Sequence, residues 1–286
     1  MEGRAPADVA TRIAERRERL TPAERRVASV VLDDPQVVAF GTVAGLAERA
    51  GTSPATVVRF AGKLGLDGFV GLQAGIQEEL ARQLRPAAER IRQRPPSDVL
   101  GRSLDVELEN VHRTLEAVDR RSFAAAVARL ADRRHRVGVL AAEASHGIAA
   151  QVAADLGLVR PGVTLLSGSE VRVDRLLADF DQGDTVLAVD LRRYERWVLA
   201  TARRAADRGV GIVAVTDSSL SPLADLGGPT FVAAAASAGP FDSHVGILAL
   251  ANALVAAVAA RLRVSATRRL DRVEAAWRES GSLVDG

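Results

Sequence analysis

Thr56, Arg59 and Lys63 fall three and four residues apart, so on a helix a hydroxyl, a guanidinium and an ammonium share one face. Such groups hydrogen-bond base edges and backbone phosphates of DNA. Ser53 and Ala55 stand near the N-terminal end of the same segment, and Lys63 is the chain's only lysine. Spacing alone leaves two readings open: a nucleic-acid surface, or the solvated face of a small helical subdomain. Elsewhere Ser167 and Ser169 follow a candidate strand, where ligands of parallel sheets bind, although turn and cap chemistry uses the same residues. Glu143 with His146 is an acid/base pair of the kind that sugar isomerisation needs. His112, His135, His146 and His244 form no H-x-x-x-H pair, and the chain has no cysteine, so no metal site is expected. His146 and His244 stand near helix starts, where surface or capping roles are expected. No G-x-G-x-x-G follows a strand and Lys63 is followed by leucine, which argues against dinucleotide and P-loop cofactors.

The elements that must carry these residues change character about a third of the way along. Up to Leu84 every periodic segment reads as helix. Thr21-Pro22-Ala23-Glu24 is a capping box with proline at the first helical position. Thr42 opens a helix over 43–50, and Ser53-Pro54 opens another to about Leu64. The connection Ala50-Gly51-Thr52-Ser53 is tight, and two short helices so joined form a helix-turn-helix whose second helix enters the major groove. Val57, Phe60, Ala61 and Leu64 make its buried stripe. Residues 85–97, with Pro86, Pro95 and Pro96 among charges, read as a linker. After Val137, β-branched runs at 137–140, 163–166, 185–190, 211–216 and 230–232 alternate with helices at 145–157, 171–180, 194–208 and 243–262. That alternation is the signature of a parallel sheet. The expected organisation is a helix-turn-helix domain over 1–84, linker and connecting helix over 85–120, an α/β domain over 121–264, and a C-terminal helix or tail over 265–286.

Composition sets the outer limits. The 286 residues suffice for two cores, and 48% apolar with 26% charged residues is globular rather than disordered. Residues 1–94 hold 15 Lys+Arg against 12 Asp+Glu, a mild basic bias, so any DNA contact must come from local placement. Arg12, Glu15, Arg16 and Arg17 interrupt the N-terminal apolar residues, which argues against a signal peptide. The run 245–260 is short for a membrane span and reads as a buried helix. A soluble cytoplasmic protein with no membrane partner is expected.

The segment "TVAGLAERAGTSPATVVRFAGKLGLDGF", residues 42–69, resembles the DNA-binding segment of RpiR-type regulators. Leu46-Ala47, Ala50-Gly51, Ser53, Thr56, Arg59-Phe60, Leu64-Gly65 and Gly68-Phe69 fit that family's string, and "LTPAERRVASVVLDDP" resembles its first helices. The resemblance implies that Ser53, Ala55, Thr56, Arg59 and Lys63 meet a double-stranded operator. It also implies a C-terminal SIS (sugar isomerase) domain, a doubly wound α/β fold that binds phosphosugars through hydroxyl-rich loops. "GVGIVAVTDSSLSPLADLGG" resembles its strand and loop, bringing in Thr216 and Ser218, and "FDSHVGILALANALVAAV" its last helix, with Ser243 at the entrance.

Two ligand loops depart from the family's pattern. Where G-x-G-x-S is usual, Ala141-Ala142-Glu143-Ala144-Ser145 keeps only the serine, at a helix start suited to an anion. Where S-x-S-G-x-T is usual, the chain has Asp190-Leu191-Arg192-Arg193-Tyr194-Glu195. Arg192 and Arg193 then either grip an anion by charge-assisted bonds or simply open a solvated helix. The resulting expectation is a non-enzymatic transcription regulator without cofactor, forming a homodimer or homotetramer. Its effector is a small anionic carbohydrate-type metabolite, a sugar phosphate or sugar acid, held by Ser145, Ser167, Ser169, Arg192, Arg193, Thr216, Ser218 and Ser243. The alternatives are a regulator whose α/β domain only dimerises, or an enzyme like the sugar-phosphate isomerases.

Overall fold

The computed structural model describes residues 9–16, 19–83, 87–92, 96–192, 194–218 and 221–283. They divide into two compact units, Met1–Pro86 and Ala87–Gly286.

The first unit is helical: α1 (Val9–Arg16), α2 (Pro22–Asp33), α3 (Pro35–Phe40), α4 (Val43–Arg49), α5 (Pro54–Lys63) and α6 (Gly68–Gln83). Side chains set the starts of three of these. Thr21 and Glu24 form the reciprocal capping box of α2, Asp34 caps α3, and Thr42 accepts from Gly45 N–H to cap α4. Gly51 adopts φ +57° after α4, and Thr52 N–H reaches back to Ala47 C=O at 2.9 Å. Only glycine takes this left-handed position without penalty. Arg26 of α2 then fastens the turn by donating to the carbonyls of Ala50 and Gly51. Val57, Phe60, Ala61 and Leu64 are completely buried beside Val27, Leu46 and Leu72.

The second unit is α/β. A short α7 (Ala87–Arg90), α8 (Val99–Glu116) and α9 (Arg120–Leu130) precede β1 (Val137–Ala141). Next come α10 (His146–Val159), β2 (Val163–Leu166), α11 (Glu170–Leu177), β3 (Thr185–Val189) and α12 (Arg196–Asp207). The chain continues through β4 (Gly211–Thr216), β5 (Thr230–Val232), α13 (Val245–Arg261) and α14 (Arg263–Ser280). All five strands are parallel, in the order β2-β1-β3-β4-β5. Alternate side chains divide the core between the two faces. Val139, Leu187, Val189, Val213 and Val215 meet α9, α10 and α13; Leu140, Val186, Ala188, Ile212 and Ala214 meet α11 and α12. The doubly wound fold expected from the sequence is therefore present, with strand bounds within one residue of those read from the pattern.

α8, expected as part of a connector, packs on α13 within the second unit. Its Asn110 and Thr114 hydrogen-bond the backbone at Ala236 and Ala234. Gly246 makes this approach possible: a Cβ there would meet Thr114 Oγ1 at 2.5 Å and Ala234 C=O at 2.7 Å. Gly246→Ala should therefore force α8 and α13 apart. The expected result is a loss of ~1–3 kcal/mol in chemical denaturation of the second unit; an unchanged midpoint would show that the contact relaxes freely.

Candidate functional site

In the helix-turn-helix the outer surface of α5 is formed by Ser53, Ala55, Val58, Arg59, Gly62 and Lys63, all exposed. Thr56 is not among them: it lies one turn before Phe60, beside the buried stripe, and is 6% exposed. This corrects the facing expected for it. Its hydroxyl hydrogen-bonds Ser53 Oγ and accepts from Arg59 Nη2, both at 3.1 Å, so it fixes the guanidinium rather than presenting itself outward. Lys63 also differs from expectation. Its ammonium donates to the buried Glu24 carboxylate at 2.7 Å and to Arg19 C=O at 3.2 Å. Burial pushes the Glu24 carboxyl up, but hydrogen bonds from Lys63 and Thr21 outweigh it and hold the group below the usual carboxylate range. Val58, 47% exposed, was not singled out by sequence. The signal was present, since Ala55, Val58, Arg59 and Gly62 repeat at helical spacing opposite the buried stripe.

In the second unit the strand order turns back between β1 and β3, which opens a crevice outside their carboxyl ends. The loop from β1 makes a short turn at Glu143–Ser145 into α10. Ser145 is buried, and its hydroxyl shares a 3.1 Å hydrogen bond with His244 Nε2 at the start of α13. Glu143 N–H donates to Glu195 Oε1 at 2.9 Å, so a carboxylate of the next loop already occupies that amide. The side chains of Glu143 and His146 are exposed.

The loop from β3 carries Arg192 at φ +51°, a left-handed conformation costing ~1–2 kcal/mol for a residue with a Cβ. Its backbone N–H donates to Asp217 Oδ1 at 2.8 Å and its Nη1 to Asp242 Oδ1 at 2.7 Å. The same Asp242 oxygen accepts from Arg90 Nη1 at 2.7 Å. Tyr194 donates its hydroxyl to Asp217 at 3.0 Å. The expected anion-binding guanidinium of Arg192 is thus engaged by two carboxylates of the chain itself. Arg193 lies outside the described residues.

The remaining expected residues are dispersed. Thr216 is buried at the end of β4, with Ser218 half-buried after it. Ser243 is buried, and its hydroxyl donates to Glu107 of α8. Ser169 is exposed and caps α11 through Arg172 N–H, and Ser167 is half-buried on the edge strand's loop. Asp217, Asp242, Glu107 and Glu195, which hold the loops together, were not singled out by sequence. Asp217 sits directly after a strand end, a position worth noting; nothing local marks the other three. Among the described residues no His, Asp and Glu cluster is arranged for a metal, and no single helix is long and apolar enough to cross a membrane.

Two family models match the chain: the helix-turn-helix domain of the rpiR family over residues 7–83, and the SIS domain over 129–257. The sugar isomerase domain of the RpiR transcription factor from Sphaerobacter thermophilus is 30% identical, with a TM-score of 0.57 covering 62% of this chain and 99% of that one. This chain belongs to the rpiR family of helix-turn-helix transcription regulators. Over most of its length it is also 24% identical to YbbH of Bacillus subtilis, named an uncharacterized HTH-type transcriptional regulator, covering 91% of this chain and 93% of that protein. The Vibrio vulnificus NanR protein, solved with ManNAc-6P, shares the fold at 22% identity and TM-score 0.57, covering 95% and 98%.

Within this rpiR-family regulator, Asp190 is a buried carboxyl beside the crevice. It directly follows β3, is 1% exposed and accepts from Glu195 N–H at 2.9 Å. Burial pushes its carboxyl up to about 7; the Glu195 amide opposes this and the Glu195 carboxylate adds to it. The folded protein therefore holds a proton that the unfolded chain has released above its own carboxylate pKa, so this contribution to stability falls as pH rises from about 4 to about 7. Thermal melts should show the second unit losing stability across that window, and Asp190→Asn should flatten this part of the slope. A variant as pH-dependent as the parent would place the titration elsewhere.

Proposed function

We propose that the protein binds an operator through the outer end of α5 and adjusts that binding when a small anionic carbohydrate derivative occupies the crevice of its SIS domain. The observation that carries this reading is the pairing in one chain of an exposed recognition helix with a parallel sheet whose carboxyl-end loops converge. Arg59, oriented by Thr56, reads a base edge or phosphate, with Ser53 and Ala55 beside it and Val58 available to a thymine methyl. Lys63 keeps 40% of its side chain exposed and serves a nearby phosphate only while bridging to Glu24. Ser145, Thr216, Ser218 and Ser243, with Arg192 and Arg193, are the effector contacts, and Ser167 and Ser169 are peripheral ones. That NanR was solved with ManNAc-6P supports a sugar phosphate as the first class to test.

The protein acts as a regulator rather than an enzyme, working in the cytoplasm. Glu143 and His146, the acid/base pair an isomerase would need, are both exposed rather than enclosed in the crevice. Assembly is part of the proposal. Leu100, Leu104, Leu108 and Leu115 are each 42–84% exposed on α8, on a face beside the one held down by Asn110 and Thr114. With Val111 their spacing is nearly palindromic about Leu108. An antiparallel second copy would set Leu100 against Leu115 and Leu104 against Val111, the self-complementary contact of a two-fold dimer.

Band-shift titrations at fixed salt test the reading face. Arg59→Ala should weaken specific binding by ~1–3 kcal/mol per half-site without changing the fold, and unchanged affinity would relocate the face. A thermal-shift screen of pentose and hexose phosphates and sugar acids tests the crevice; stabilisation by none of them favours a domain that only dimerises. In light scattering, Leu104→Asp with Leu108→Asp should convert a dimer to a monomer and weaken operator binding. A dimer that persists would assign the interface to another surface.

A further inference from the structure

Asp242 joins the crevice to α7 within the second unit. One of its oxygens accepts from Arg192 of the crevice and from Arg90 of α7, each at 2.7 Å, with the three side chains 12–20% exposed. Arg90 belongs to the first described residues after the helix-turn-helix unit, in a four-residue helix too short to hold its own position. Its Nε is buried with no partner among the described residues, so Asp242 is the one ion pair that the structure gives it among them. Arg192, at the other end of the bridge, is held in a left-handed backbone conformation that a rearranged loop would relieve.

We infer that Asp242 is a shared carboxylate through which occupancy of the crevice alters the hold on Arg90, and hence on the segment leading from the DNA-binding unit. The inference rests on the effector reading above. Two guanidinium groups on one oxygen repel each other while competing for the same charge. An anion that draws Arg192 toward itself leaves Asp242 to Arg90 alone and tightens that pair. By linkage, whatever operator binding does to Arg90 is felt equally at the crevice.

Hydrogen exchange on the full-length protein without ligand tests the bridge directly. Asp242→Asn should accelerate exchange in residues 87–92 by about tenfold, the effect of losing a charge-assisted, partly buried bond. Arg192→Gln should slow it, because Arg90 then has the carboxylate to itself. Arg90→Gln should accelerate exchange around 235–243, and it keeps the test decisive if the Asp242 variant fails to fold. Operator affinity supplies the functional arm: Arg192→Gln should shift it several-fold, and the same change in an Arg90→Gln background should have no further effect. Exchange unchanged in 87–92 for Arg192→Gln, or an equal shift in both backgrounds, overturns the coupling. No ligand enters these comparisons, so an empty sugar-phosphate screen would remove the effector reading while the bridge stood or fell on its own results.

Discussion

Asn110 is almost completely buried, and its side-chain amide closes two hydrogen bonds with the backbone of Ala236. The segment after β5 has no regular structure until α13 begins, so its buried peptide groups need partners from outside. α8 supplies them: Thr114 accepts from Ala234 N–H, and Glu107 accepts from Ser243 and from Asn110 itself. Through that one helical face the loop carrying Asp242 and His244 is held against the ends of β1 and β3. The crevice is therefore built from the sheet and from a helix far upstream of the loop it secures, with 126 positions separating Asn110 from Ala236. Removing Asn110 would strand donors and acceptors in the interior, costing ~1–3 kcal/mol for each unsatisfied group.

The same logic of internal pairing governs the charges. Glu24 is buried in the first unit because Lys63 and Thr21 compensate it, and Arg192 and Arg90 are partly buried in the second because Asp242 does. In both places a cation of the kind that meets ligands is first used to balance a carboxylate of the chain itself. Breaking one partner of such a pair leaves the other charge uncompensated, which is costlier than the pair is stabilising. A ligand anion approaching Arg192 has therefore to exchange for a carboxylate already in place.

This pairing explains which features were legible in the sequence. Helices and strands were readable because capping residues, glycine stops and apolar periodicity are local: Thr21-Pro22 and Thr42 announce α2 and α4 as directly as the β-branched pair Thr185-Val186 announces β3. Thr185–Val189 is buried throughout, the mark of a strand covered on both faces. Side-chain commitments were not readable in the same way. Lys63 points to a carboxylate 39 residues earlier, and Arg192 to one 50 residues later. Thr56 shows a milder version, since its place on a helical wheel borders the apolar stripe and only Phe60's burial decides the side. That ligands would sit at the carboxyl ends of the strands was legible from the strand–helix alternation, whereas the crevice's place between β1 and β3 and the partners that tune it depend on contacts that no spacing records.

The departures from the family's glycine-rich loops take on a physical meaning in this setting. The family's two glycines fall at Ala141 and Glu143: the first is replaced by a buried methyl group at the end of β1 and the second by an exposed carboxylate, where glycines would leave the backbone open to a ligand. The amide that opens the turn is taken by Glu195, and Glu195 in turn accepts from Trp197 of α12. Asp190, five residues before Glu195, is protonated more readily than an ordinary carboxyl because burial disfavours its charge. An anion at the start of α10 would have to displace or neutralise these carboxylates, which would couple its binding to movement of the β3 loop or to proton uptake at Asp190. The charge arrangement thus favours ligands whose own hydroxyls satisfy the displaced groups, and it disfavours a bare phosphate. Selectivity would then arise from what the protein must give up as much as from what it gains.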